Sequence, residues 1–137
     1  MKITVTDDFP ACAAIRRRVF IEEQNVPEEL ELDELDATAV HLLAVQDGRP
    51  VGTARLLIEG ESAKIGRVAV LPEMRGTRAG AALMRAALDE LRARGVTKAK
   101  LGAQTHAIGF YEKLGFTVHG PEYDDAGIPH RDMSRSL

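Results

Sequence analysis

The stretch RVAVLPEMRGTRAGAALMRAALDELRARG, residues 67–95, decides how this chain is read. Val68 to Leu71 is an apolar run of strand type, and it stops at Pro72. A loop carrying Arg75, Gly76, Thr77, Arg78 and Gly80 follows. From about Ala79 to Arg94 the spacing predicts a helix. Met84, Ala87, Leu88 and Leu91 share one face, Arg85–Asp89 and Glu90–Arg94 are opposite-charge i,i+4 pairs on the other side, and Gly95 is a natural stop. The helix has no acidic N-cap. Its N-terminus presents unpaired backbone N–H groups and roughly +0.5 of a charge, which makes it an anion site. Gly76 and Gly80 let the backbone approach a ligand, and the guanidinium groups of Arg75 and Arg78 suit phosphate geometry. A pyrophosphate fits such a loop. The competing reading is an ordinary strand-to-helix turn with surface arginines.

Working outward, Val40–Val45 and Pro50–Ile58 read as strands joined by Gln46-Asp47-Gly48-Arg49, where Asp-Gly is a hairpin signal. Glu59-Gly60-Glu61 makes a second turn into a strand from Ala63 to Leu71. Upstream, Met1–Val5 alternates as a strand. Asp7 and Asp8 cap a helix running to about Glu23, with a partial apolar stripe of Ala11, Ala14, Ile15, Val19 and Ile21. Arg16, Arg17 and Arg18 are expected on its solvated face. Downstream come a strand at Val96–Leu101, a helix from Gln104 or Thr105 to Lys113 with Gly115 as its stop, and strands at Phe116–His119 and Ile128–Ser136. The order β-α-βββ-α-β-α-ββ describes a mixed α/β domain in one piece, residues 1–137.

Size and composition agree. The chain has 137 residues, 45% hydrophobic and 28% charged, which suits one domain with one core. Its formal net charge is -3, it has no tryptophan and only 4% aromatic residues, and no extended basic face is evident. A nucleic-acid partner is therefore not expected. No apolar run approaches the ~20 residues that span a bilayer, and the N-terminus lacks a signal-peptide core. The single Cys12 forms no internal disulfide, so a reducing cytoplasm is the expected compartment. Charge is unevenly distributed: between Val19 and Gly48 there is no Lys or Arg, while Glu22, Glu23, Glu28, Glu29, Glu31, Asp33, Glu34, Asp36 and Asp47 fall there. That segment is either a solvated surface or a rim attracting a cationic substrate.

Val68-Ala69-Val70-Leu71-Pro72 followed by Arg75-Gly76-Thr77-Arg78-Ala79-Gly80 resembles the acetyl-CoA signature Gln/Arg-x-x-Gly-x-Gly/Ala of the GNAT superfamily of N-acetyltransferases. Phe110-Tyr111-Glu112-Lys113-Leu114-Gly115-Phe116 resembles the helix-to-strand junction of the same family. More narrowly, Val19-Phe20-x-Glu22-Glu23-Gln24, His41-Leu42-Leu43-Ala44, Ala103-Gln104-x-His106 and Gly127-Ile128-Pro129-His130 are similar to the small bacterial branch with ElaA-like and YjcF-like proteins. The resemblance covers nearly the whole chain. It departs at Arg78, where the signature has its middle glycine. That side chain either grips the cofactor's phosphates or crowds the loop.

The resemblance implies a mostly antiparallel sheet of six to seven strands, split by a V-shaped cleft and flanked by about four helices. It implies an acetyl-CoA-dependent N-acetyltransferase acting by direct attack of a primary amine, with the acceptor a small molecule. The main chain of Val68, Ala69 and Val70 would pair with pantetheine, and Arg75, Gly76, Thr77, Arg78, Ala79 and Gly80 would cradle the pyrophosphate. Tyr111 falls at the family's general-acid position. Phe110 beside it reads as packing near the cofactor, and Gln104 as an amide that bonds pantetheine or orders water. The strand glutamate that serves as base in many members is replaced by Gly66, which leaves Glu22, His41, His106 and His130 as candidates. Arg55 and Arg67, within strands, either hold a substrate carboxylate or pair with the acidic segment, and His106 lies with them on the acceptor side. No metal is expected, and the protein is expected to be a monomer or homodimer. The alternative is a non-catalytic acetyl-CoA-binding sensor or interaction module.

Overall fold

The computed structural model describes residues 1–137. Seven strands form one sheet in the order β1-β2-β3-β4-β5-β7-β6. They are β1 Lys2–Thr6, β2 Val40–Gln46, β3 Arg49–Glu59, β4 Ser62–Val70, β5 Lys98–Gln104, β6 Thr117–Asp125 and β7 Ile128–Ser136. Every pairing is antiparallel except β4 with β5. The tight turns have the residues their geometry requires. Asp47 and Gly48 at the β2–β3 corner, and Ala126 and Gly127 at the β6–β7 corner, all have positive φ, as two-residue hairpins with the right twist demand. β5 starts two residues later than the sequence predicts, because Val96 closes the preceding helix instead: its N–H bonds the Leu91 carbonyl at 3.0 Å, with Gly95 at φ 81.

Four helices cover the sheet: α1 Phe9–Arg16, α2 Glu28–Glu31, α3 Ala79–Ala93 and α4 Ile108–Glu112. Asp8 caps α1 as expected, its side chain accepting from the Ala11 N–H at 3.2 Å. α3 buries Leu83, Met84, Ala87, Leu88 and Leu91, the expected stripe plus Leu83. Of its predicted ion pairs Glu90–Arg94 forms, whereas Asp89 pairs with Arg92. α3 packs on the face of β3 that carries Gly52, where an added Cβ would lie 3.6 Å from Leu83 Cδ2. α1 lies on the opposite face and sends Cys12 Sγ toward the Leu42 carbonyl.

Two expectations for the first helix are corrected. The helical span does reach Glu23, but Arg17–Glu23 is wound as a π-helix. Glu23, four residues on from the buried Val19, lines the cleft, and Glu22 does not. The buried stripe is also Cys12, Ile15, Arg16 and Val19, not one through Ala14. Arg16 is thus the most deeply buried charge of the chain, not part of a solvated face. It survives there because a buried charge must be paired. Its Nε meets Glu31 Oε1 at 2.5 Å, and its two Nη atoms meet the Asp36 carboxylate at 2.8 and 3.0 Å.

That pairing also settles the acidic segment. Glu31 and Asp36 are held by Arg16, Asp33 by Arg55 and Arg67, Glu28 by Arg17 and Glu23 by Arg75. Glu31, Asp33 and Asp36 are therefore internal glue that straps α2 and the turn Glu34–Ala37 onto the body, while the Glu28 and Glu23 pairs are exposed. These pairings leave less of the cation-attracting rim.

The sheet splits where function needs a gap. β4 and β5 pair only through Ser62–Lys64 against Lys98–Lys100, and beyond that point they diverge. On its other side β4 carries a β-bulge. Ile65 opposes Leu56 and Ala69 opposes Thr53, so Arg67 and Val68 together face Ala54. An extra residue bends a strand and breaks strict alternation, and β4 leans away from β5.

Candidate functional site

The loop between β4 and α3 ends with Arg78 at φ 66, a left-handed residue at the N-cap with no side-chain cap bond. Gly76 precedes it at φ 81. None of the backbone N–H groups from Gly76 through Ala81 has a partner within the chain. Buried or not, such a run of donors at the positive end of a fifteen-residue helix asks for an anion. The residues present fit a pyrophosphate. Gly80 keeps the approach open between the Phe110 ring and Val70, with an added Cβ 3.6 Å from Phe110 Cζ. Thr77 Oγ1 donates to the Met74 carbonyl and fixes the loop. Arg75 spans the mouth, its Nη atoms 2.6 and 2.8 Å from the Glu23 carboxylate and 3.2 Å from the Val70 carbonyl.

A left-handed arginine is strained by ~1–2 kcal/mol relative to glycine. Arg78→Gly is therefore expected to raise stability by about 1 kcal/mol in a urea titration. If Arg78 also grips phosphate, the same change weakens acetyl-CoA binding several-fold in calorimetry. Tighter binding would instead mean that the side chain crowds the loop.

Below the loop the diverging strands enclose a cleft of ≈ 770 Å³. Val68, Ala69 and Val70 line one wall, and Leu101, Gly102 and Gln104 the other. Gln104 ties β5 to the end of the first helical segment: its Nε2 donates to Gln24 Oε1 at 3.0 Å, and its Oε1 lies 2.7 Å from His106 Nε2. Tyr111 lines the cleft and packs edge-on against Phe110 and Phe116, at centroid distances of 5.0 and 6.2 Å. Its hydroxyl makes no hydrogen bond within the chain and is not sequestered. Burial pushes its pKa up to about 12.

The other predicted site residues divide cleanly. His130 and His106 line the cleft. The His130 ring stacks on Tyr123 with centroids 5.9 Å apart, and its Nδ1 lies 2.7 Å from the Ile128 carbonyl. A carbonyl only accepts, so Nδ1 carries the proton and Nε2 keeps its lone pair. His41 is not on the cleft. It is buried against Phe9 with Nε2 3.0 Å from the Asp36 carbonyl, a structural role that removes it as a base candidate. Glu22 is exposed and off the cleft. Arg55 is also off the cleft: its Nη1 sits 2.7 Å from Asp33 and 3.2 Å from Asp36, so it belongs to the buried ion-pair cluster and not to a substrate pocket. Arg67 does line the cleft.

The polar cleft residues to which sequence reasoning assigns no individual role include Glu23, Gln24, Lys64, Tyr123 and Asp125. Glu23 and Gln24 belong to the motif that begins at Val19, in which Glu22 is the residue taken as a base candidate. Tyr123 carries no signal, because the strand expected at Phe116–His119 stops short of it. It crosses to β7 to bond Asp132 at 2.8 Å, and its hydroxyl fills the place where a Cβ on Gly102 would stand. Burial, with Asp132 beside it, raises the Tyr123 pKa to about 12. No helix is long and apolar enough to cross a membrane.

Comparison with known proteins places this geometry. The acetyltransferase (GNAT) domain matches residues 5–137. The N-acetyltransferase YjcF of Bacillus subtilis, described as uncharacterized, is 37% identical over 122 residues, 88% of this chain and 87% of YjcF. ElaA of Escherichia coli is 33% identical over 132 residues, 93% of this chain and 86% of ElaA. The crystal structure of an acyl-CoA N-acyltransferase from Pseudomonas aeruginosa superposes with a TM-score of 0.88 at 32% identity, covering 98% of this chain and 99% of that one.

Proposed function

The chain belongs to the GNAT acetyltransferase family, and from that premise we propose that it transfers the acetyl group of acetyl-CoA to the primary amine of a small molecule. The observation that supports this most is the conjunction of an open wall on β4 with six consecutive unpaired N–H groups at its end, Gly76 to Ala81. The first is a template for the pantetheine amides, the second a cradle for the pyrophosphate. A partner strand would have closed the first.

In this reading a free N–H of the bulged segment near Val68 polarises the acetyl carbonyl. One such donor is worth ~2.7–4 kcal/mol of the barrier. Bound acetyl-CoA supplies an activated thioester; the C–N bond forms, the C–S bond breaks, and the amine's proton must leave while the sulfur gains one. His130 Nε2, unpartnered and on the cleft, accepts the proton directly or through water. Gly66 offers no carboxylate for that task. Tyr111 donates a hydrogen bond from its hydroxyl to the departing sulfur.

Calorimetry of acetyl-CoA into the purified protein is expected to give a micromolar Kd. Arg75→Ala should weaken it roughly ten-fold, because a charged hydrogen bond is worth ~1.5–3 kcal/mol and the Glu23 pair given up offsets part of that. An amine screen reading free thiol completes the test. Binding without turnover of any amine would favour a sensor, and absence of binding would end the proposal.

A further inference from the structure

Arg67 occupies a position that a glycine would fill without strain. It sits in the β4 bulge at φ 49, and a non-glycine residue in that region costs ~1–3 kcal/mol unless the surroundings over-determine it. The surroundings are the buried ion-pair cluster. There Arg16 and Arg55 have side chains only 1% and 6% exposed and carboxylates within 2.5–2.8 Å. Arg67 is the loosely held third cation, 25% exposed. Its Nη2 donates to the Leu30 and Glu31 carbonyls at 3.4 and 3.0 Å and to Asp33 Oδ2 at 3.2 Å. Its Nε lies 3.3 Å from Glu31 Oε1, but the N–H points off that oxygen, so the contact is one of charge only. Nη1 makes no hydrogen bond and is not among the sequestered atoms. Arg67 is the arginine of the cluster that lines the cleft, one residue from Val68 on the wall where an acceptor would meet the thioester. Burial, with the like charge of Arg55 behind it, destabilises this cation, and an incoming anion relieves that.

We propose that Arg67 Nη1 anchors a carboxylate on the acceptor, so that the amine acetylated is one bearing a single negative charge, as an amino acid does. The class follows from what flanks the guanidinium. Glu31 and Asp33 stand beside it, and their repulsion grows with the charge of the ligand, so a monoanion, one oxygen of which the single free Nη1 can serve, is penalised less than a dianion such as a phosphate. The inference rests on the N-acetyltransferase reading, and it also resolves an apparent conflict in the sequence. The carboxylates of the acidic segment that fold over the body, Glu31, Asp33 and Asp36, are matched in number by Arg16, Arg55 and Arg67, and Arg67 is the member of those three arginines that lines the cleft.

The test uses reaction products, whose binding does not depend on turnover. N-acetyl derivatives of the common amino acids, and the matching carboxamides, are titrated into the protein saturated with CoA. At least one acid is expected to bind ten-fold or more tighter than its carboxamide. Arg67→Gln should abolish that preference, Arg67→Lys should keep part of it, and both should bind CoA like the parent. Equal affinity of acids and amides, no binding by either, a preference that survives Arg67→Gln, or N-acetylaminomethylphosphonate binding tighter than N-acetylglycine would each overturn the anchor. Failure of CoA itself to bind would strike the acetyltransferase reading instead.

Discussion

Replacing Arg16 with alanine is expected to cost about 3–5 kcal/mol of folding stability, the range for stranding the partners of a buried ion pair. Glu31 is 4% exposed and Asp36 10%, and both would be left without the guanidinium that neutralises them. The loss is a local one first. α2 and the turn Glu34–Ala37 have almost no apolar anchor, with Leu30, Leu32 and Leu35 all exposed, so the cluster is what holds that wall of the cleft. Urea unfolding at neutral pH checks the figure, and a loss under 1 kcal/mol would show that the cluster is merely tolerated. Acid titration gives an independent reading. Burial alone would raise the Asp36 carboxyl, but hydrogen bonds and charge from Arg16 and Arg55 outweigh it and hold the pKa below the ordinary carboxylate value. A depressed folded pKa contributes stability above the unfolded value of ~3.9, and that stability drains away as pH falls through the folded one. The parent should therefore lose stability below about pH 4 more steeply than Arg16→Ala, which has already lost the pair.

The sequence makes the frame of the molecule legible because the frame is written in local signals. Asp47-Gly48 specifies its hairpin, Gly95 stops α3, and the spacing of Met84, Ala87, Leu88 and Leu91 announces a buried helix face. What it conceals are features that depend on partners distant in the chain. Arg16 stands at the right phase for burial, between Cys12 and Val19, yet an arginine counts as outward unless Glu31 and Asp36 are known to fold over it. The π winding of Arg17–Glu23 has no compositional mark, and the carboxylate on the cleft is Glu23, not the candidate Glu22. The bulge at Arg67 and Val68 is likewise invisible to strict alternation. In each case a non-local interaction overrides a local rule, and these three overrides are concentrated around the cleft and its α2 wall, where a site needs the fold to depart from its regular pattern.

Tyr111→Phe is expected to leave the fold intact and to lower kcat by about 10²–10³, the effect of removing one donor from developing negative charge. The structural half of that expectation follows from what the hydroxyl does not do. The ring packs against Phe110 and Phe116, contacts that phenylalanine keeps, while the oxygen bonds nothing in the chain. Removing a half-buried hydroxyl without a partner is neutral or slightly stabilising, so thermal unfolding should shift little and acetyl-CoA affinity should hold. The chemical half turns on the pKa of about 12. An alkyl thiol ionises near ~8.5, so complete proton transfer from this phenol to the departing thiolate runs uphill by several pKa units. In the proposed reaction the hydroxyl is therefore expected to work as a hydrogen-bond donor that stays protonated while sulfur acquires charge, with the sulfur taking its proton from the nitrogen side through His130 or water. A Tyr111 that only donates produces no basic limb in the kcat profile below about pH 10, the ordinary phenol value. A Tyr111 that releases its proton each turnover makes the rate sensitive to solvent deuterium at that step. Full activity in Tyr111→Phe would remove the tyrosine from the reaction, and loss of folding in that variant would mean its oxygen has a structural partner after all.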